Sequence, residues 1–515
     1  MTDPPPAATP TQEVGRSTPW LGRIGFLLLA ALSYLPVLAS APGKVAADTK
    51  QYLYLDPSRL LERAWTMWDP NIGFGTVTHQ NIGYLFPMGP FYWLFEAIGS
   101  PDWVAQRIWL GSIIFAAGLG MLFLFRTLGL RGAGAVVGAL AFMLSPYSLD
   151  YAARISVLLL PWAGLPWLLG LLIRGLRHGG WRHAAWFALV VQIVGGVNAT
   201  ALLFIGIAPF LWLLHSVFVA REVKLRRAIS TGLRFGALTV TASLWWIAGL
   251  WAQGSYGLNI LKYTETLRAV SRTSLPNEVL RGLGYWFFYG KDKLGSWIEA
   301  SPTYTQHPLV ILISYGIPVL ALLSCAFVTW KYRSFFVSTI VVGVVIAVGA
   351  HPYDSPTPLG AWFKEAAATS TAAFALRSTG RATPLVIFGL AALLGAGVNA
   401  AVLRFGAIRR FRLPVRLVVP VVVGVLIMVN LPALWNDTFY GVNLQRAEDI
   451  PAYWHAAARA LDRQPHSTRV LELPGTDFAS YRWETPWIRS PRASWTARTQ
   501  PENSFPTARP HRPTC

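Results

Sequence analysis

The chain of 515 residues is poor in cysteine and in charge, and both shortages exclude whole classes of protein. Two cysteines, Cys325 in an apolar run and Cys515 at the last position, provide neither a disulfide framework nor the Cys spacing of a zinc site. Charged residues make up 13% of the chain, against about 25% in soluble proteins, while 53% of residues are hydrophobic. No P-loop motif is present, which argues against an ATP-driven pump. These shortages exclude a soluble globule and favour a protein that crosses a membrane many times.

Long apolar runs are what the sequence has in abundance. An α-helix needs about 20 apolar residues to cross a bilayer, and runs of that length predict eleven membrane-spanning helices. In the third of them, Gly134 and Gly138 form a small-residue pattern that is expected to aid helix packing. The fold class is therefore predicted to be an all-α polytopic membrane protein, a bundle of about 11 transmembrane helices. The predicted spans lie near residues 21–41, 105–126, 131–148, 154–174, 183–198, 199–219, 232–251, 308–330, 334–350, 381–403 and 416–435.

The positive charge of the chain is confined mostly to alternate loops. Lys and Arg number 44 against 24 Asp and Glu, so the formal net charge is +20. With the N-terminus inside, the five short inner loops carry seventeen cations and one acid, Glu222. This asymmetry is the positive-inside pattern of membrane proteins. Because it accounts for most of the net charge, it argues against nucleic acid as a partner.

The large loops fall on the opposite, outer side of the predicted membrane. They cover residues 42–104, 252–307 and 351–380, and nearly all the acids lie there or in the C-terminal stretch. An inner side poor in acids and an outer side that carries them indicate chemistry performed outside. The predicted location is the cytoplasmic (inner) membrane, crossed many times, with the active site facing outside.

The two ends of the chain differ from its middle. Residues 1–20 are predicted to be a cytosolic tail, and residues 21–435 the transmembrane domain. The Ala-Ser-Ala at 39–41 resembles a signal-peptidase site, but ten later spans already ensure insertion, so an uncleaved first helix is predicted. Residues 436–485 are predicted to start an extracytoplasmic soluble domain, and residues 486–515, rich in Arg and Pro, to be a disordered tail. Because that soluble domain stops abruptly, we expect a truncated or frame-shifted form of a longer protein.

The first outer loop carries the densest set of chemical signals. Asp48 comes a few residues after the first span, at the rim of the bilayer, where a lipid headgroup can reach a carboxylate. Residues 57–68 place apolar side chains at helical spacing opposite charged ones, which predicts an interfacial amphipathic helix. A Trp-Asp-Pro-Asn turn at 68–71 and a His-Gln pair at 79–80 follow. The apolar piece at 85–98 is interrupted by two prolines and is predicted to be re-entrant.

Together these features resemble the GT-C glycosyltransferases, polytopic enzymes that use lipid-phosphate-linked sugar donors. The first outer loop and the Phe-Ala-Leu-Arg-Ser-Thr-Gly-Arg segment at 374–381 are similar to the actinobacterial arabinofuranosyltransferase D family, over about residues 20–485. The resemblance implies a GT-C-like bundle that moves arabinofuranose from decaprenyl-phosphate-arabinose to the arabinan of arabinogalactan and lipoarabinomannan. Members of that family continue into a long C-terminal region with carbohydrate-binding modules. This sequence departs from the family there, because it does not contain that region.

An inverting transfer from a polyprenyl-phosphate sugar needs a general base that takes the proton of the acceptor hydroxyl. Asp48 is the predicted catalytic base, and the resemblance supports this role because it places the family's catalytic acid in this loop. The alternative is an ordinary juxtamembrane acid that pairs with Lys44 or Lys50. Asp56 is a candidate substrate-binding residue, although an acid at this position is more often a helix cap. Asp69 is interpreted as a turn residue.

The leaving phosphate needs cations. Arg377 and Arg381 lie four residues apart at the lip of the tenth span, where two guanidiniums could meet a phosphate. Their alternative role is snorkelling at the interface. The aromatic and charged loop 252–307 suits sugar rings, but it equally suits a helix that lies on the interface. The other candidate substrate-binding residues are His79, Gln80, Lys262 and Glu265.

Two other functions stay open at this point. One is a polyprenyl-phosphate mannosyltransferase, and the other is a flippase or transporter of a lipid-linked sugar. A transporter is disfavoured because the spans hold few ionisable residues and the outer loops are large. No cofactor or metal site is predicted, and dependence on a divalent metal is left open. The predicted partners are a polyprenyl-phosphate sugar donor, a cell-wall arabinan acceptor and membrane lipid.

Overall fold

A computed structural model shows how the apolar runs are arranged. Helices make up most of the part of the chain that it describes, as expected from runs of apolar residues too long for strands. The all-α fold class is therefore confirmed. The structure describes residues 19–46, 48, 52–70, 75–77, 81–257, 259, 261, 264–292, 295–406, 412–440 and 451–465.

The first half of the chain forms a long helix, a loop of short elements, and then six long helices. The first helix is α1 (Pro19–Ala39). The loop after it contains α2 (Tyr52–Leu55), α3 (Pro57–Arg63), β1 (Trp68–Asp69), β2 (Thr76–Val77), α4 (Asn81–Tyr84) and α5 (Met88–Ala97), with β1 and β2 antiparallel. The long helices are α6 (Asp102–Leu128), α7 (Ala133–Met143), α8 (Leu159–His178), α9 (Arg182–Gly195), α10 (Ala199–Leu214) and α11 (Leu225–Tyr256).

The second half alternates loops of short elements with pairs of long helices. One loop contains α12 (Leu267–Thr273), α13 (Pro276–Leu280), the antiparallel pair β3 (Lys291–Asp292) and β4 (Gly295–Ser296), and α14 (Ser301–Gln306). The pair α15 (Pro308–Phe327) and α16 (Arg333–Val348) follows, then a loop with α17 (Pro358–Thr369) and α18 (Thr371–Ala375). The last elements are α19 (Thr383–Gly406), α20 (Arg412–Val429) and α21 (Ala452–Asp462).

Every one of the eleven predicted spans coincides with a helix, but the helices differ in length. Among the described residues, seven helical segments are long and apolar enough to cross a membrane by length and composition. Three further apolar helices, within α1, α16 and α20, are shorter, and α9 has only 14 residues. The structure therefore supports a multi-pass membrane protein, and the number of eleven spans stays a prediction.

The predicted inner and outer loops lie at opposite ends of the helix bundle. At one end the short basic loops meet: Lys331 binds Glu222 at 3.0 Å, so the single acid of those loops is paired. At the other end, here called the loop end, α1 ends and α6 begins. There Arg268, in the first turn of α12, binds Asp354, before α17, at 2.9 Å. The long loops thus contact one another at the loop end, as the charge pattern predicts.

The first outer loop is less regular than predicted. In place of one amphipathic helix over 57–68, α3 ends at Arg63. Leu60 is buried, whereas Trp65 is 87% exposed. The apolar piece predicted to be re-entrant contains α5, whose ten residues are too short to cross a bilayer. Pro90 lies within the first turn of α5 and so does not break it, because a first-turn proline removes no intrahelical hydrogen bond.

Glycines allow α7 and α19 to pack closely at the centre of the bundle. A Cβ atom on Gly134 would collide with the backbone oxygen of Gly395, and one on Gly395 would lie 2.7 Å from the oxygen of Gly134. Gly138 lies one turn further along the same contact, which is how small-residue patterns bring helices together in membranes. The backbone-to-backbone approach leaves no flexible atom that could yield.

We expect Gly134→Ala to destabilise the protein by about 1–3 kcal/mol, the usual cost of overpacking. Gly206→Ala in α10 is the matched control, because a Cβ there has nothing within 4 Å and alanine is the better helix former. Thermal unfolding of the purified protein in detergent should show a lower melting temperature for the first variant only. Equal melting temperatures for the two variants would contradict the close packing of α7 and α19.

Candidate active site

Asp48 lies at the loop end, beyond the last residue of α1, and only 4% of it is exposed. The backbone N–H of Ser156, just before α8, donates to its Oδ1 at 2.8 Å, and the Ser156 hydroxyl donates to its Oδ2. The indole of Trp109 in α6 in turn donates to the Ser156 hydroxyl at 3.1 Å. One donor to each carboxylate oxygen, both from Ser156, fixes the orientation of the carboxylate, and Trp109 orients one of those donors. This is the arrangement expected for a positioned general base.

Two buried tyrosines show which other elements face Asp48. Burial, and next the negative charge of Asp48, raise the pKa of Tyr92 in α5 well above its usual value. Burial also raises the pKa of Tyr440, in the segment after α20; the charge of Arg107 opposes that rise and the charge of Asp48 adds to it. Asp48 is therefore surrounded by α5, α6, the start of α8 and the segment that follows α20.

Asp56 and Asp69, two further acids of the first outer loop, have structural contacts. The Asp56 carboxylate accepts from the backbone N–H of Arg59 at 3.3 Å and so caps α3. Asp69 binds Arg63 at 3.3 Å and pairs with Thr76 between β1 and β2. Both contacts agree with the helix-cap and turn interpretations. Asp56 as a substrate-binding residue stays a prediction.

Arg377 and Glu265 form a buried ion pair at 3.5 Å, which joins the segment before α12 to the segment before α19. Arg377 also donates to the backbone oxygen of Glu265 at 2.8 Å and to the hydroxyl of Thr264, while the hydroxyl of Ser378 donates to the Glu265 carboxylate. Burial lowers the pKa of Arg377, Glu265 opposes this, and the nearby charge of Arg381 adds to it. Protein atoms thus already compensate the charge of Arg377.

Arg381 makes different contacts. One of its terminal nitrogens, Nη1, donates to the hydroxyl of Thr200 at 2.8 Å and to Asn198 Oδ1 at 3.4 Å. Asn198 caps α10, since its side chain also accepts from the N–H of Ala201. The Nε of Arg381 is buried and has no hydrogen-bond partner among the described residues, and no carboxylate there pairs with the side chain. Of the two predicted phosphate ligands, Arg381 therefore keeps the uncompensated charge.

The remaining predicted site residues, His79, Gln80 and Lys262, lie outside the residues that the structure describes. Among the described residues, no group of three or more His, Cys, Asp and Glu side chains is placed to hold a metal ion. The structure thus brings Asp48 together with Ser156 in one place, and Glu265 together with Arg377 in another.

Sequence reasoning missed the residues that hold Asp48. Ser156 lies 108 positions away in the chain, in a short connection without a motif, so no local signal could have found it. Asp150, in the same connection, is 2% exposed, and its Oδ1 has no partner among the described residues. An acid at the end of a predicted span was visible in the sequence, because buried acids in membrane helices are rare and often functional.

The fold is that of a GT-C membrane glycosyltransferase domain. More specifically, the chain belongs to the family described as alpha-(1->3)-arabinofuranosyltransferase, N-terminal GT-C domain, whose model matches residues 32–489. Two relatives named alpha-(1->3)-arabinofuranosyltransferase are 30% and 29% identical, over 91% and 88% of this chain; they come from Mycobacterium tuberculosis and Mycolicibacterium smegmatis. The chain spans about a third of their length, 33% and 32%.

Solved structures support the same fold. The cryo-EM structure of the mycobacterial arabinofuranosyltransferase AftD matches with a TM-score of 0.67 at 24% identity, covering 93% of this chain and 31% of that one. A variant form of AftD matches with a TM-score of 0.66 at 25% identity, covering 90% of this chain and 32% of the other. The chain therefore matches about a third of the length of each of these solved proteins.

Arg377→Ala is expected to cost about 3 kcal/mol of stability, because it leaves the Glu265 carboxylate buried without its cation. Arg268→Ala removes an exposed ion pair, in which 51% of the Arg268 side chain and 75% of the Asp354 side chain are accessible. That loss should cost less than about 1 kcal/mol. Thermal unfolding in detergent measures the stability of both variants. Equal melting temperatures for Arg377→Ala and Arg268→Ala would show that the pair of Arg377 with Glu265 does not stabilise the fold.

Proposed function

We propose that this chain transfers arabinofuranose from decaprenyl-phosphate-arabinose to the arabinan of the cell wall, on the outer side of the cytoplasmic membrane. The observation that carries the proposal is the geometry of Asp48, a buried carboxylate oriented by Ser156 at the loop end of a GT-C domain. Membership of the arabinofuranosyltransferase family supports the choice of sugar. Because the chain spans a third of its relatives, its activity by itself is part of the proposal.

Asp48 acts as the general base in the proposed reaction. Its carboxylate takes the proton of an acceptor hydroxyl while that oxygen forms a bond to the anomeric carbon of arabinofuranose. The bond between that carbon and the phosphate oxygen breaks, and the electron pair leaves with the lipid phosphate. Because a phosphate is a good leaving group, no strong acid is required on the donor side. The two hydrogen bonds from Ser156 keep the carboxylate aimed during this step.

Arg381 binds the lipid phosphate in this proposal. Its charge is not neutralised by a carboxylate among the described residues, and Thr200 and Asn198 hold one end of its side chain. The N-terminal turn of α10, which begins at Ala199, adds the partial positive charge of a helix N-terminus. Arg377 supports the loop around this place through its pair with Glu265.

Asp48→Asn should lower the transfer rate at least about 100-fold, since general-base catalysis contributes about 10²–10⁴ in rate. Asparagine keeps the size and polarity of the side chain, and it removes the negative charge and the basic oxygen. Asp354→Asn, an exposed acid at the same end of the bundle, is the matched control and should stay within twofold of the original rate.

The measurement follows labelled arabinofuranose from the decaprenyl-phosphate donor onto an arabinan acceptor with purified protein in detergent, where transport has no meaning. Transfer by Asp48→Asn at the original rate would refute the role of Asp48. Failure of the unmodified chain to form product, also when joined to the C-terminal region of its relatives, would favour the carrier. Transfer from a polyprenyl-phosphate mannose donor instead would favour the mannosyltransferase.

Arg381→Ala should raise the KM for the lipid-linked donor about tenfold or more, because a charge-assisted contact to a phosphate is worth about 1.5–3 kcal/mol. The KM for the arabinan acceptor should change less than twofold. Arg268→Ala, at an exposed arginine of the loop end, is the control and should leave both constants unchanged. Equal effects of Arg381→Ala on donor and acceptor would argue against a phosphate ligand.

A further inference from the structure

The backbone between α1 and Asp48 is held by two neighbouring side chains of α6. The Gln106 carboxamide accepts from the N–H of Ala46 at 2.9 Å and donates to the C=O of the same residue at 3.0 Å. Gln106 is 1% exposed, and Ala46 precedes Asp48 by two residues. Only a side chain with both a donor and an acceptor can satisfy the two backbone groups of one residue in this way.

Arg107 continues this contact toward the end of α1. Its guanidinium donates to the backbone oxygens of Ser40 at 3.1 Å, of Ala41 at 3.2 Å and of Lys44 at 2.9 Å. The group is fully buried and lies 3.5 Å from the centre of the Tyr440 ring. It therefore binds three backbone carbonyl groups of the segment that follows the last residue of α1.

The same helix also supports Asp48 from its other side. Trp109, whose indole orients Ser156, lies three residues after Gln106, so both side chains lie on one face of α6. Gln106 thus fixes the backbone that carries Asp48, and Trp109 fixes the hydroxyl that binds its carboxylate. An ordinary helix-end contact would require only the carbonyl groups at the end of α1, and it would not extend to Ala46.

We propose that Gln106 is a positioning residue for Asp48. Its two hydrogen bonds to Ala46 fix the backbone so that the Asp48 carboxylate lies within hydrogen-bond distance of Ser156. The inference rests on the proposed role of Asp48 as the base. Gln106 itself touches neither donor nor acceptor. Its loss should therefore lower kcat and leave binding of both substrates unchanged, because a misplacement of about 1 Å in a reacting group can cost about 100-fold in rate.

Gln106→Met keeps the length of the side chain, adds no charge and removes both hydrogen bonds. In the full chain, assayed with decaprenyl-phosphate-arabinose and arabinan, we expect kcat to fall 10- to 100-fold and both KM values to stay within twofold. Gln192→Met in α9 is the matched control, since it also removes a hydrogen bond inside the bundle, the one that Trp245 donates to Gln192 at 3.0 Å. It should also lower thermal stability, and it should leave kcat within twofold.

A double-mutant comparison separates positioning from general destabilisation. If Gln106 acts through Asp48, adding Gln106→Met to Asp48→Asn should lower the residual rate no further. A further tenfold loss in the double variant, or an equal loss of kcat with Gln192→Met, would overturn the inference and leave the role of Asp48 intact. An unchanged rate with Asp48→Asn alone would instead remove the base role, and this inference with it.

A milder variant keeps the test available if Gln106→Met does not fold. Gln106→Asn retains the carboxamide on a side chain shorter by one methylene, so one of the two hydrogen bonds to Ala46 is weakened and the other is lost. We expect a three- to tenfold fall in kcat, again absent in the Asp48→Asn background. A KM that rises while kcat holds would contradict positioning.

Discussion

A backbone that leaves a helix at the rim of a bilayer must find hydrogen-bond partners inside the protein, because lipid offers none. Several backbone groups of the stretch from Ser40 to Ala46 find their partners in side chains of α6. Arg107 binds carbonyl groups just beyond α1, Gln106 binds both backbone groups of Ala46, and Trp109 reaches Asp48 through Ser156. The position of the proposed base is therefore a by-product of satisfying the backbone at the membrane rim.

The charged side chains at the loop end follow the same rule, that a buried polar group needs a partner inside the protein. Buried ions are tolerated where they are paired, so the Arg377 guanidinium and the Glu265 carboxylate lie together and tie two loops to each other. Arg381, four residues later, binds neutral oxygens of Asn198 and Thr200 and no carboxylate in the part of the chain that the structure describes. A segment that contains two arginines at one helical turn's spacing thus contains one structural cation and one whose charge is still available to an anion.

The sequence allowed the helices and the segregation of charge to be predicted, because each depends on local periodicity. It also singled out Asp48 by its distance from a span; the structure shows this residue buried, and its catalytic role stays a prediction. The capping role of Asp56 could also be predicted, since it depends on the next three residues. What joins distant elements could not. The contacts of Asp48 with Ser156 and of Arg377 with Glu265 cross 108 and 112 positions, and neither pair forms a motif. The length of α3 was overestimated because its Trp-rich continuation has helical spacing but is exposed.

The segment after α20 contacts both α6 and the end of α1. Its Tyr440 ring lies against Arg107 of α6. Ser40 donates to the backbone oxygen of Asp437, the Asp437 carboxylate accepts from the N–H of Ala41, and the N–H of Tyr440 donates to Ser40. The stretch that carries Asp48 is thereby anchored to the chain emerging from α20. A displacement of residues 437–440 would therefore act first on Ser40 and Ala41, a few residues before Asp48. The segment after α20 thereby helps to set the path of the backbone that leads from α1 to Asp48.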